Sequence, residues 1–113
     1  MRIHDIVVHY RGFQPTVESR EVLQNVIDEI YEESPYGSTL RATFSRGGKQ
    51  LKGVVHVTSP AGRFFTVATG QSVGEIAQKL MEQMRRRLDK WKGRRYRREH
   101  LRDHLRLSEF SVA

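Results

Sequence analysis

The sequence predicts an α+β fold, a two-layer sandwich in which a four-stranded sheet carries two helices in the order β-α-β-β-β-α. Three observations carry that prediction. Two segments repeat apolar residues at steps of three and four, the spacing of one face of a helix. Four shorter segments alternate or cluster β-branched and aromatic residues as strands do. The breaks between them fall at Gly, Pro and Ser.

Residues 3–10, IHDIVVHY, read as the first strand, and Gly12 and Pro15 end it. Thr16 is then placed to cap a helix, because its hydroxyl can accept a backbone N–H of the first turn. Val22, Leu23, Val26, Ile27 and Ile30 follow at helical spacing, giving an amphipathic helix over 17–33 that Ser34, Pro35 and Gly37 stop. Leu40, Ala42 and Phe44 alternate with Arg41, Thr43 and Ser45, the period of a half-buried strand. Gly47-Gly48 reads as a two-residue hairpin turn with positive φ at both positions. Leu51, Gly53, Val55 and Val57 then alternate with Lys52, Val54, His56 and Thr58, and Ser59 to Gly62 turn the chain into a strand over 63–69. Val73, Ile76, Ala77, Leu80, Met84, Leu88 and Trp91 form one apolar stripe of a second helix over 72–92, with Gly93 as its C-cap.

The first helix is a crossover, so strands 1 and 2 are expected to be parallel and right-handed in connection. Strands 2, 3 and 4 make an antiparallel meander. Each helix has one apolar stripe, so both cover the same sheet face. Residues 1–93 form one domain in this reading. Residues 94–113 are a basic tail, partly helical or disordered, in which Leu101 and Leu105 stand four apart.

A chain of 113 residues fits one core. Apolar residues make up 37% and no run approaches the roughly 20 needed to cross a bilayer. The opening MRIHDIVVHYRG has Asp5 and two His within its apolar run, which is unlike a signal peptide. Cysteine is absent, excluding disulfides, thiolate zinc sites and thiol nucleophiles. A soluble cytoplasmic protein is the expectation.

Charge narrows the class further. There are 20 Lys and Arg against 13 Asp and Glu, a net +7. Fifteen of the cations are Arg, whose planar fork grips phosphate in two places. The charge is polarised: residues 1–36 carry 3 basic and 7 acidic groups, and residues 77–113 carry 12 and 5. Such a distribution suits nucleic acid or an anionic surface. The helix-2 apolar stripe is needed by the sheet, which argues against a membrane-surface role.

No enzyme signature accompanies the charge. GGK at 47–49 lacks the spacing of a phosphate-binding loop, and no serine sits in a nucleophile elbow. Asp28, Glu29, Glu32 and Glu33 read as a solvated helix face. His100 and His104 stand four apart without a third metal ligand. His56 falls mid-strand on the polar face. No catalytic residue, metal, cofactor or small-molecule substrate is expected.

The candidate site is cationic. Lys79, Gln83, Arg86 and Lys90 share one face of the second helix at about 100° per residue. Arg85, Arg87, Lys92, Arg94 and Arg95 widen the band, and Glu82 and Asp89 are expected to pair with Arg86 and Arg85. Over 85–98 nine cations meet one acid, a density that phosphates would neutralise. Arg41, Lys52 and Arg63 are expected on the open sheet face. There they lie beside Val54, Phe65 and Val67, an apolar group that would serve a protein contact or a weak homodimer.

The element order and the segment VVHVTSPAGRFFTVATGQSVGEIAQKLMEQMRRRLDKWKGR resemble the ribosome hibernation-promoting factor family. That family also includes the ribosome-associated inhibitor and the proteins once called sigma-54 modulation proteins. The resemblance runs over residues 3–92. Its strongest part is Phe64-x-Thr66-x-Ala68-x-Gly70 followed by Ile76, Lys79-Leu80, Gln83, Arg86 and Lys90. It implies a fold like that of double-stranded-RNA-binding domains. It also implies a non-enzymatic factor whose Lys79, Arg86 and Lys90 meet rRNA in the messenger and transfer RNA channel of the small subunit. Occupying that channel would block translation and preserve idle ribosomes.

Three departures stand out. Leu88 occupies a position where lysine is common, helix 1 is acidic, and the Arg-rich tail is too short for the dimerisation domain of the long forms. Two other functions fit the same residues: a generic double-stranded-RNA binder or RNA chaperone, and a protein-interaction module on the open sheet face.

Overall fold

The computed structural model describes residues 5–112, with side chains described as far as Gly93. The order is β1 (Ile6–Arg11), α1 (Val17–Glu33), β2 (Thr39–Gly47), β3 (Gln50–Ser59), β4 (Gly62–Gly70) and α2 (Val73–Val112). The strands lie in one sheet in the order β1-β2-β3-β4. β1 is parallel to β2, with Ile6 opposite Leu40, and the two later pairs are antiparallel. The expected α+β architecture is the one observed. The expected start of β1 at Ile3 lies outside the described residues.

Local chemistry accounts for the boundaries. Thr16 caps α1 by accepting the Ser19 N–H at 3.1 Å. Ser34 ends the helix in extended backbone and donates its hydroxyl to the Ile30 carbonyl at 2.6 Å. The β2–β3 turn departs from the sequence reading. Its central residues are Gly48 and Lys49, closed by the Gly47–Gln50 pair, and only Gly48 has positive φ (63°). A turn of the type with glycine first needs positive φ at that position alone, so Gly47 completes the strand instead.

The core lies between the sheet and the two helices. Leu23, Ile27 and Ile30 of α1 pack with Leu40, Ala42 and Phe44 of β2, Leu51, Val55 and Val57 of β3, and Ile76, Leu80, Met84 and Leu88 of α2. Gly53 sits in the middle of this layer. A Cβ there would come within 2.9 Å of Ile76 Cγ2 and 3.0 Å of Leu80 Cδ1, so its missing side chain is what seats α2 close to the sheet.

α2 runs back along β4, and its side chains mark the path. Glu75 lies against Gly70, Lys79 reaches Thr69, Gln83 meets Thr66, and Trp91 meets Phe64 edge-on with centroids 5.8 Å apart. Gly93 is inside the helix rather than its cap, since α2 continues to Val112. A mid-helix glycine costs only about 1 kcal/mol, and the following residues are mostly strong helix formers such as Arg, Leu and Glu.

Candidate nucleic-acid interface

The start of α2 fixes the orientation of everything after it. Ser72 Oγ accepts the Glu75 N–H at 3.2 Å, and Glu75 Oε2 accepts the Gln71 N–H at 2.9 Å. These reciprocal bonds resemble a capping box, with the carboxylate reaching one residue further back than usual. Serine three residues before glutamate is the signal that sequence reasoning passed over. The Gln71 N–H, and after it the Lys79 ammonium 3.0 Å away, hold the Glu75 carboxyl below its ordinary pKa.

Lys79, Gln83, Arg86 and Lys90 share the flank of α2 that borders β4. Two of them are already engaged there. Lys79 pairs with Glu75 and donates to the Thr69 carbonyl at 2.7 Å, with its side chain 44% exposed. Gln83 is half-buried and accepts the Thr66 hydroxyl proton. Arg86 and Lys90 are exposed, and so are Arg87 and Lys92. None of these four makes an ion pair with another described residue.

Arg85 behaves differently from the expectation. It turns to the opposite flank of α2, where its guanidinium lies 3.7 Å from Glu29 and 4.0 Å from Glu33 of α1. Asp89 is not its partner, and Glu82 accepts from Gln78 at 3.5 Å instead of pairing with Arg86. The cause is tertiary: α1 and α2 pack side by side, and that brings the acidic stripe of one to the edge of the other. The molecule is thereby polarised across its helical layer, acidic along α1 and basic along the β4 side of α2. The side chains of Arg94, Arg95, His100 and His104 lie outside those described.

The open sheet face carries a second set of cations. Strand registers place Val7, Arg41, His56 and Phe65 in one row, His9, Thr43, Val54 and Val67 in the next, and Arg11, Ser45, Lys52 and Thr69 beyond it. Arg63, opposite Thr58, completes the other end. Arg11, Arg41, Lys52 and Arg63 are all exposed without an ion pair to a described residue. The His56 and Phe65 rings pack 4.5 Å apart at 47°. Arg11 was missed in the sequence, although β1 alternates Val7, His9 and Arg11 outward. Among the described residues no group of three His, Asp or Glu has the arrangement of a metal site.

Fold and surface together define a class: a basic β-α-β-β-β-α two-layer domain whose cations lie on one helix flank and on the uncovered sheet. Solved structures share that fold. The ribosomal subunit interface protein from Coxiella burnetii superposes with a TM-score of 0.65 at 15% identity, covering 78% of this chain and 97% of that one. The N-terminal domain of Protein Y from Thermus thermophilus superposes with a TM-score of 0.57 at 13% identity, covering 76% and 92%. No family model and no curated protein sequence matches the chain.

Proposed function

We propose that this chain is a non-enzymatic ribosome-associated factor that binds small-subunit rRNA, occupies the channel used by messenger and transfer RNA, and so holds idle ribosomes inactive. Two solved structures with this fold support the reading, one of them named as a ribosomal subunit interface protein. The observation that carries it is the group Arg86, Arg87 and Lys90. These cations are exposed on α2 and unpaired with described residues, while the acids of α1 are kept to the other flank.

Affinity in this reading comes from neutralising phosphates, and shape sets the site, because the sheet and core fix the spacing of the cations. Arg86, Arg87 and Lys90 supply the primary contacts, continued toward the C-terminal end of α2 by Lys92, Arg94 and Arg95. Lys79 and Gln83 anchor α2 to β4 and present their remaining exposed surface at its start. Arg41, Lys52 and Arg63 add a second phosphate-binding share from the sheet. A ribosomal partner places the protein in the cytoplasm, and no helix among the described residues is long and apolar enough to cross a membrane.

The test is sucrose-gradient sedimentation with purified small subunits at two salt concentrations. Arg86→Glu combined with Lys90→Glu is expected to abolish co-sedimentation while circular dichroism stays unchanged. Undiminished co-sedimentation of that double variant overturns the helix-borne site. Release of the wild-type protein by excess duplex RNA would assign it instead to generic double-stranded-RNA binding.

A further inference from the structure

We propose that the open face of the sheet binds single-stranded RNA, stacking a base on Phe65 and holding the flanking phosphates with Arg11, Arg41, Lys52 and Arg63. This deepens the reading above by naming the form of RNA and the surface that takes it. The surface is the layer opposite α2, so the two contacts are separable.

Three features of the face point to that ligand. Its centre is apolar and aromatic: Phe65 is 43% exposed, with His56 against its ring, and Val54 and Val67 lie in the adjacent row. Cations surround it: Arg11 and Lys52 lie in the row beyond Val54 and Val67, Arg63 lies in the row beyond Phe65 at the other end, and Arg41 flanks His56 within the central row. Its one described acid is Asp5 at the edge, whose carboxylate is engaged by the Tyr31 hydroxyl at 3.2 Å. A shallow hollow between Val7, Arg41, His56 and Thr58 opens beside the aromatic pair.

A stacking centre among cations matches a chain of bases joined by phosphates. Any base offers a π-face to an aromatic ring, while its phosphates need charges set to the sides. A duplex offers no such fit, since its bases are already stacked on each other and its outer surface is phosphate and sugar. Another protein surface suits the apolar centre, but it must bring acidic groups to four separate positions. A second copy of this face would set cation against cation.

The probe is a fluorescein-labelled single-stranded oligouridylate, followed by anisotropy with the full chain at low salt. Phe65→Ala is expected to weaken binding about tenfold, within the cost of losing one base–aromatic stack. Phe65→Tyr is expected to keep it. Arg41→Glu with Lys52→Glu, at two exposed positions, carries the same test on the cations should Phe65→Ala fail to fold. Equal affinity of wild type and Phe65→Ala, or no binding by the wild type, overturns the proposal. So does a concentration-dependent dimer in the absence of RNA that Phe65→Ala dissolves. Small-subunit sedimentation on the same preparations separates the two readings. Retained co-sedimentation without Phe65-dependent oligouridylate binding removes only the stacking surface. Loss of wild-type co-sedimentation with that binding intact removes only the ribosomal assignment.

Discussion

The Arg85 guanidinium lies 3.7 Å from the Glu29 carboxylate, joining the flanks of the two helices. Glu33 stands 4.0 Å from the same guanidinium. One cation of the basic band is thus spent within the fold, facing away from Arg86 and Lys90. Both partners are well exposed, so the pair contributes at most about 1 kcal/mol. Arg85→Glu should therefore lower stability only slightly, through repulsion with Glu29 and Glu33, and should weaken small-subunit binding less than Arg86→Glu does. Urea unfolding midpoints and sedimentation of the two single variants check both halves.

Gly53→Ala should destabilise the protein by about 1–3 kcal/mol, the usual cost of overpacking a core. The added methyl meets Ile76, Leu80 and Phe44, all within 3.1 Å, and α2 has to lift or those side chains must leave their rotamers. Thermal unfolding followed by circular dichroism measures the loss. An unchanged melting temperature would mean that α2 is not seated as described.

Acid should loosen the start of α2. The Glu75 carboxyl titrates below its ordinary value of 4.5 in the folded chain, held there by the Gln71 N–H and by Lys79. A depressed folded pKa gives a stabilising contribution that is complete above the unfolded value and is lost as pH falls through the folded one. The wild type should lose this contribution on acidification below pH 4.5, and Glu75→Gln should show a flatter stability profile over the same interval. Chemical denaturation at a series of pH values decides it.

Small-subunit affinity should fall steeply with salt. With about six phosphates engaged, the loss between 50 and 200 mM is about 10³-fold. Truncation after Gly93 should leave a single cooperative unfolding transition, because the core residues run from Leu23 to Leu88. The same truncation should reduce the salt slope if Arg94 and Arg95 contact phosphates. Binding titrations at several salt concentrations, with full-length and shortened chains, give both numbers.

The sequence disclosed whatever depends on periodicity and local chemistry. The Thr16 cap, the bounds of α1 and the outward alternation of Arg41, Lys52 and Val54 are all within-segment properties, and the structure repeats them. Contacts decided by packing were hidden. Asp89 is the nearer acid to Arg85 along the chain, but only the side-by-side arrangement of α1 and α2 brings Glu29 and Glu33 to it. Lys79 reads as a free cation until the return of α2 along β4 sets the Thr69 carbonyl beside it. Leu88 shows the converse: its place in the stripe foretold full burial, and the structure leaves it 0% exposed.

The parallel pairing of β1 imposes an order on assembly. Ile6 meets Leu40, thirty-four positions downstream, whereas the meander closes through turns of two residues and α2 folds back directly on β4. Short-range closures are entropically cheaper and precede distant ones. In refolding of the whole chain, β1 is therefore the last of the four strands to gain a neighbour. During refolding, the Val and Ile side chains of β1 stay without a sheet to join until the meander has formed, which leaves them open to misassociation in that interval.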